Sequence, residues 1–160
     1  MFIREGKLTD FVALNYLYKL LDDVHHQHHP DIFQEIHEEF ARPKEYIKEL
    51  ITNPNKLLLV CEYQDNVIGF AEAYKMRVPS YHVFQEREWV HIDSIAVKKE
   101  HRHKQVGTML LQEVINWGKT MGMNRLELTV YNFNTQAEHF YRTFGFSVLH
   151  QVMYFDGESS

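Results

Sequence analysis

The sequence predicts an α/β fold built on a mixed β-sheet with helices on both faces, and three observations carry that expectation. Residues 90–97 form an apolar, β-branched run suited to a strand buried on both faces. A short basic loop follows, then apolar residues at helical spacing (Val106, Met109, Leu110, Val114, Ile115, Trp117) and an alternating strand over 125–131. Such a strand–helix–strand unit is a crossover, so its two strands are expected to be parallel. Upstream, 56–63 and 67–76 read as strands joined by the turn Gln64-Asp65-Asn66, an antiparallel hairpin that makes the sheet mixed.

The remaining elements follow in order. Phe2 to Arg4 reads as a first strand, closed by Gly6. Thr9 is the expected cap of a helix whose apolar face is Phe11, Leu14, Leu17, Tyr18 and Leu21, and which runs on until Pro30 interrupts. Residues 31–40 read as a second helical piece with Ile32, Phe33, Ile36 and Phe40 on one face. Pro43 opens a third, through Tyr46, Ile47, Leu50 and Ile51, ended by Asn53-Pro54. On the second hairpin strand Glu72, between small residues, is expected to face solvent, its other reading being a cleft, and Cys61 in the first is expected to be buried and inert. Residues 78–87 read as a loop placed to cover a site. A last helix begins at Asn134, and Ser147 to Tyr154 alternates in the manner of a final strand. The expected organisation is one domain over 1–156 with a tail over 157–160.

Composition narrows the function classes. With 17 basic against 22 acidic residues the net charge is −5, which argues against broad nucleic-acid binding and mildly favours a cationic partner. No apolar run approaches the ~18 residues of a membrane span, and the start lacks the apolar core of a signal peptide. One cysteine fits a reducing, cytoplasmic setting. His25, His26, His28 and His29 invite a metal reading, but no matched Cys or carboxylate set completes a site, and no metal is expected. A solvated polar segment and the wall of a substrate pocket are the other readings of that cluster. A dinucleotide-binding fold is disfavoured, since no G-x-G-x-x-G follows a strand.

The loop before the second crossover element carries the chemistry. A helix N-terminus reached through a tight loop offers unpaired N–H groups and a dipole that favour a phosphate. Arg102 and Lys104 add charge, and Gly107 allows a close approach to the backbone. A solvated basic turn would look the same from these residues alone. Downstream stand Asn134-Thr135-Gln136-Ala137, then Phe140-Tyr141, then Gly145-Phe146. With Arg102-His103-Lys104-Gln105-Val106-Gly107, these motifs resemble the GNAT superfamily of acyl-CoA-dependent N-acetyltransferases in order and spacing, over roughly residues 56–150. The family's loop reads Arg/Gln-x-x-Gly-x-Gly/Ala, and its first Gly is Gln105 here. A Cβ at that position narrows the approach to a pyrophosphate while leaving the N–H donors in place.

The resemblance implies the GNAT fold, acetyl-CoA as the acetyl donor, and direct attack of a primary amine on the thioester without an acyl-enzyme. By that resemblance Arg102, His103, Lys104, Gln105, Val106, Gly107 and Thr108 hold the pyrophosphate, and the strand backbone at Ile95, Ala96 and Val97 pairs with the pantetheine arm. Asn134, with Ala137, Phe140 and Tyr141 of the same motif, completes the cofactor contacts, Asn134 doubling as a helix cap. Tyr141 matches the family's general acid, its alternative being a packing aromatic beside Phe140 and Phe144. For the base, strand alternation places His91, Asp93 and Ile95 on one face; Asp93 is the first candidate and His91 the second. An Asp there also reads as a structural acceptor. The resemblance further implies that 25–40 forms a wall of the acceptor site, and that a homodimer would be unsurprising. The acceptor is expected to be a small-molecule or peptide amine. The rival reading is a non-catalytic acyl-CoA-binding domain of the same fold, which would keep the loop and lose the acid and base.

Overall fold

In the computed structural model, which describes residues 1–158, five strands lie in one sheet in the order β1-β2-β3-β4-β5. They are β1 (Phe2–Glu5), β2 (Lys56–Tyr63), β3 (Asn66–Val78), β4 (Arg87–Val97) and β5 (Leu126–Leu128). The first four pair antiparallel and β5 runs parallel to β4, as the crossover requires. The helices are α1 (Phe11–His28), α2 (Lys44–Thr52), α3 (Val106–Thr120) and α4 (Thr135–Thr143). The chain forms two compact units: Met1–Leu128 holds the sheet with α1, α2 and α3, and Thr129–Ser160 holds α4.

Adjacent residues on β3 settle which helix covers which face. Phe70 joins the core built by Leu14, Leu17 and Tyr18 of α1, Ile47 and Leu50 of α2, and Leu58, Val60 and Ala96 of the sheet. Gly69 points the other way, where a Cβ would stand 3.1 Å from Cγ1 of Val106 on α3. Further along α3, Gly118 closes on Val90 of β4. The mixed α/β sheet with helices on both faces is therefore observed. Cys61 is fully buried and its thiol pKa is raised by that burial, as expected of an inert core cysteine.

Four local expectations are corrected. Thr9 does not cap α1, because Leu8–Asp10 form a 3₁₀ turn and the helix starts at Phe11. The Asp10 carboxylate instead accepts the Lys7 N–H at 2.8 Å and both terminal nitrogens of Arg4 at 2.8 and 2.9 Å. Residues 31–40 are not a helix. An isolated helix that short is marginal, and tertiary bonds claim the segment: Phe33 O lies 2.7 Å from His26 Nδ1, and Phe40 packs on Phe11 at 4.7 Å. Asn15 clamps the end of the loop, accepting the Arg42 N–H and donating to its carbonyl. The strand expected over 125–131 is reduced to Leu126–Leu128. Residues 147–154 alternate but form no strand, since alternation marks a face and only a ladder partner makes a strand; none is present among the described residues. The last two residues of the expected tail lie outside the described residues.

Candidate active site

The loop into α3 has the backbone shape of an anion cradle. His103 and Gln105 both adopt left-handed conformations, with φ of 63° and 65°. Left-handed residues interleaved in a tight turn gather successive N–H groups into a concavity. Met109 makes the first intrahelical bond, to Gln105 O at 2.9 Å, so the N–H groups of Val106, Gly107 and Thr108 stand ahead of it at the positive helix end. Arg102, His103, Lys104 and Gln105 are exposed, and Arg102 Nε donates to Val97 O at 3.2 Å, tying loop to strand end.

Gln105, standing at the first glycine of the loop pattern, is the N-cap residue of α3. A non-glycine residue in that conformation costs about 1–2 kcal/mol, of which a glycine would return about 0.5–1 kcal/mol as lost unfolded-state freedom. Gln105→Gly is therefore expected to raise the melting temperature by roughly 2–4 °C. A lower melting temperature in a calorimetric scan would show that the Gln105 side chain holds the loop.

The end of β4 is open on one side. Lys98 N–H donates to Ile68 O of β3 at 2.8 Å, so by alternation the backbone groups of Ala96 face β3 while those of Ile95 and Val97 face away. The ladder to β5 ends at Ile92, paired with Leu128, and does not reach Ile95 or Val97. Of the three predicted backbone contacts, Ile95 and Val97 lie on the side away from β3, where Val97 O already accepts Arg102 Nε, and Ala96 is engaged in the sheet.

A bulge corrects the predicted face. Glu72 pairs with Ser94 and Ala73 with Ile92, leaving Asp93 as the extra residue on β4. Ser94 and Ala96 therefore share the α1 side with His91, whose ring stacks on Tyr74 at 5.1 Å, and Ile95 turns to the opposite side. Asp93 is exposed at the bulge and accepts a hydrogen bond from Ser94 Oγ at 3.0 Å.

Glu72, expected to face solvent, is 3 % exposed. Two phenols hold it inside: Tyr18 of α1 donates to Oε2 and Tyr46 of α2 to Oε1, the latter at 2.6 Å. Burial raises the Glu72 pKa; the two phenols act to lower it, and the charge of Asp93 adds to the rise. Burial and the Glu72 carboxylate push both tyrosines up as well. Arg42 is taken by Asp22, at 2.7 and 3.1 Å, and its guanidinium lies over the Tyr18 ring at 4.4 Å. The position of Glu72 between Ala71 and Ala73 in an apolar strand allowed an inward reading, but nothing in the sequence paired it with Tyr18 and Tyr46.

The second unit carries the downstream motif. Asn134 Oδ1 caps α4 by accepting the Ala137 N–H at 3.1 Å. The Tyr141 ring meets Phe140 and Phe146 edge-on at 5.2 and 5.4 Å, and burial pushes its phenol up to about 12. Gly145, at φ 103°, reverses the chain so that Phe146 N–H returns to Tyr141 O at 3.1 Å. The Gly-Phe pair is thus the stop of the helix that presents Tyr141.

The histidine cluster bonds locally. Nδ1 of His25 and of His28 lies at 2.8 and 2.9 Å from the carbonyls of Leu21 and Val24, four residues back. Among the described residues no group of three or more His, Cys, Asp or Glu is placed to hold a metal ion, and no helix is long and apolar enough to cross a membrane.

Several solved structures share this architecture. A tetramutant of a Bacillus halodurans protein superposes with a TM-score of 0.90 at 23% identity, over 98% of this chain and 99% of that one. An aminoglycoside 6′-N-acetyltransferase from Acinetobacter baumannii matches with a TM-score of 0.73 at 19% identity, over 99% of each chain. An aminoglycoside N-acetyltransferase determined in complex with CoA matches at 0.72 and 18%, over 99% of this chain and 100% of that one. These likenesses show the fold. The profile of the acetyltransferase (GNAT) family matches residues 14–146, through both units and every motif described above. The chain belongs to the acetyltransferase (GNAT) family.

Proposed function

We propose that this protein is an acetyl-CoA-dependent N-acetyltransferase that moves the acetyl group directly to a primary amine of a small molecule or peptide. The observation that carries the reading is the pairing of an anion cradle at the α3 N-terminus with a free backbone edge at the end of β4. The cradle, from Arg102 to Thr108, suits a pyrophosphate; the outward groups of Ile95 and the outward N–H of Val97, whose carbonyl is held by Arg102, suit an amide-bearing arm. Asn134, Ala137 and Phe140 are assigned further cofactor contacts by the family motif they match.

Tyr141 supplies the proton that the departing thiolate takes up. Its raised pKa keeps the phenol protonated at neutral pH, the state a general acid needs. Asp93, exposed at the β4 bulge, and His91 two residues before it draw the incoming ammonium and are the candidates for its base, Asp93 ahead of His91. The segment over 25–40, the last turn of α1 and the irregular stretch after it, forms the acceptor wall. Two of the structural neighbours act on aminoglycosides by name, which together with the net acidic charge supports a cationic acceptor. We place the protein in the cytoplasm, where its lone cysteine, Cys61, would stay reduced.

A thiol-release screen with acetyl-CoA and spermidine, kanamycin, lysine and a lysine-ended peptide tests this reading. Release of CoA with mass gain on one amine class is expected. Tight acetyl-CoA binding without release across all classes would instead mark a non-catalytic acyl-CoA-binding domain.

A further inference from the structure

Glu72 is a buried carboxylate that the chemistry above does not use. Its two bonded partners, Tyr18 and Tyr46, are neutral donors, and among the described residues it forms no ion pair. A charge held this way is costly, and an amide or apolar side chain would sit there more cheaply. The titratable and charged groups facing it are Tyr18 from α1, Tyr46 from α2, Arg42 from the segment before α2, Tyr74 from β3 itself and Asp93 from β4. Arg42 is occupied by Asp22 and Tyr18 is fully buried. Of its two hydrogen-bonded phenols, Tyr18 is buried and Tyr46 is half-buried, so Tyr46 is the bonded partner that reaches toward solvent.

Resting on the acetyltransferase reading, we infer that Tyr46 and Glu72 form a proton relay that deprotonates the acceptor ammonium, with Asp93 attracting the cation. Tyr46 Oη takes a proton from the bound R–NH₃⁺ as its own proton passes to Glu72 Oε1. The products of that step are R–NH₂, free to attack the thioester, an unchanged Tyr46, and a neutral Glu72 carboxyl. After the acetylated amine leaves, Glu72 returns the proton through Tyr46 to water. Tyr46 is the catalytic group here; Glu72 acts through it as a positioning residue that stores the proton. Burial and the Asp93 charge, which raise the Glu72 pKa, both improve it as an acceptor.

The test uses Tyr46→Phe and Glu72→Gln with two acceptors. One is whichever of spermidine, kanamycin, lysine and the peptide is acetylated fastest; the other is hydroxylamine, already uncharged at neutral pH and in no need of a base. Both variants are expected to lose about 10²-fold in kcat with the cationic amine and to stay within about threefold with hydroxylamine. The acidic limb of the kcat profile should vanish, and acetyl-CoA affinity should hold. Stability provides the fold control. A carboxyl whose folded pKa is raised costs stability above that pKa and nothing below its ordinary range. Glu72→Gln should therefore melt higher than wild type at alkaline pH, with the gain shrinking at mildly acidic pH. Equal losses on both acceptors, or no loss on either, would overturn the relay and leave the acetyltransferase reading standing. A wild-type protein that releases no CoA with any amine would overturn both.

Discussion

Tyr141→Phe is expected to lower kcat by about 10²-fold or more with any amine acceptor, while acetyl-CoA affinity stays within about twofold. The substitution removes one oxygen and keeps the ring, so the edge-on packing against Phe140 and Phe146 survives and the fold should melt normally. What it removes, in the proposed mechanism, is the proton offered to the leaving thiolate. Burial holds that phenol at about 12, so it stays protonated through the physiological range, and no activity loss from its own ionisation should appear below about pH 10. An unchanged kcat would assign Tyr141 to packing alone, with solvent as the proton source.

Gly69→Val is expected to damage stability and cofactor binding together. A Cβ at Gly69 would stand 2.9 Å from Ala96 O and 3.1 Å from Val106 Cγ1. The first of those contacts is backbone, so relief requires β4 or the start of α3 to move. Overpacking of this kind costs about 1–3 kcal/mol, and valine's extra methyl groups place it toward the upper figure. A melting temperature lower by roughly 6–12 °C is expected. Because the displaced parts are the free edge at Val97 and the cradle from Gln105 onward, acetyl-CoA should also bind about tenfold more weakly. A melting loss with wild-type affinity would contradict the claim that this glycine sets the spacing of the two cofactor-holding elements.

What could be read from the sequence was whatever a local pattern determines. The hairpin, the parallel crossover and the helix after the basic loop follow from periodicity and turn residues, and the sheet contains all three. The family followed from a resemblance in motif order and spacing, carried by the loop from Arg102 to Gly107, then Asn134-Thr135-Gln136-Ala137, Phe140-Tyr141 and Gly145-Phe146. What periodicity cannot report is a partner. The segment over 31–40 has a helical apolar pattern, yet Asn15 and His26 claim its surroundings from a distance in sequence. The bulge at Asp93 is equally silent: one extra residue on β4 moves Ser94 to the face predicted for Ile95. Glu72 was assigned outward because a charged strand residue usually is, and only the two phenols converging from separate helices turn it inward.

The most direct test of the account is a calorimetric titration of the purified protein with acetyl-CoA, repeated on Tyr141→Phe. Micromolar binding to both proteins is the predicted result, since the cradle and the β4 edge do not depend on the phenol. No detectable binding up to millimolar acetyl-CoA would contradict the acetyltransferase reading at its root.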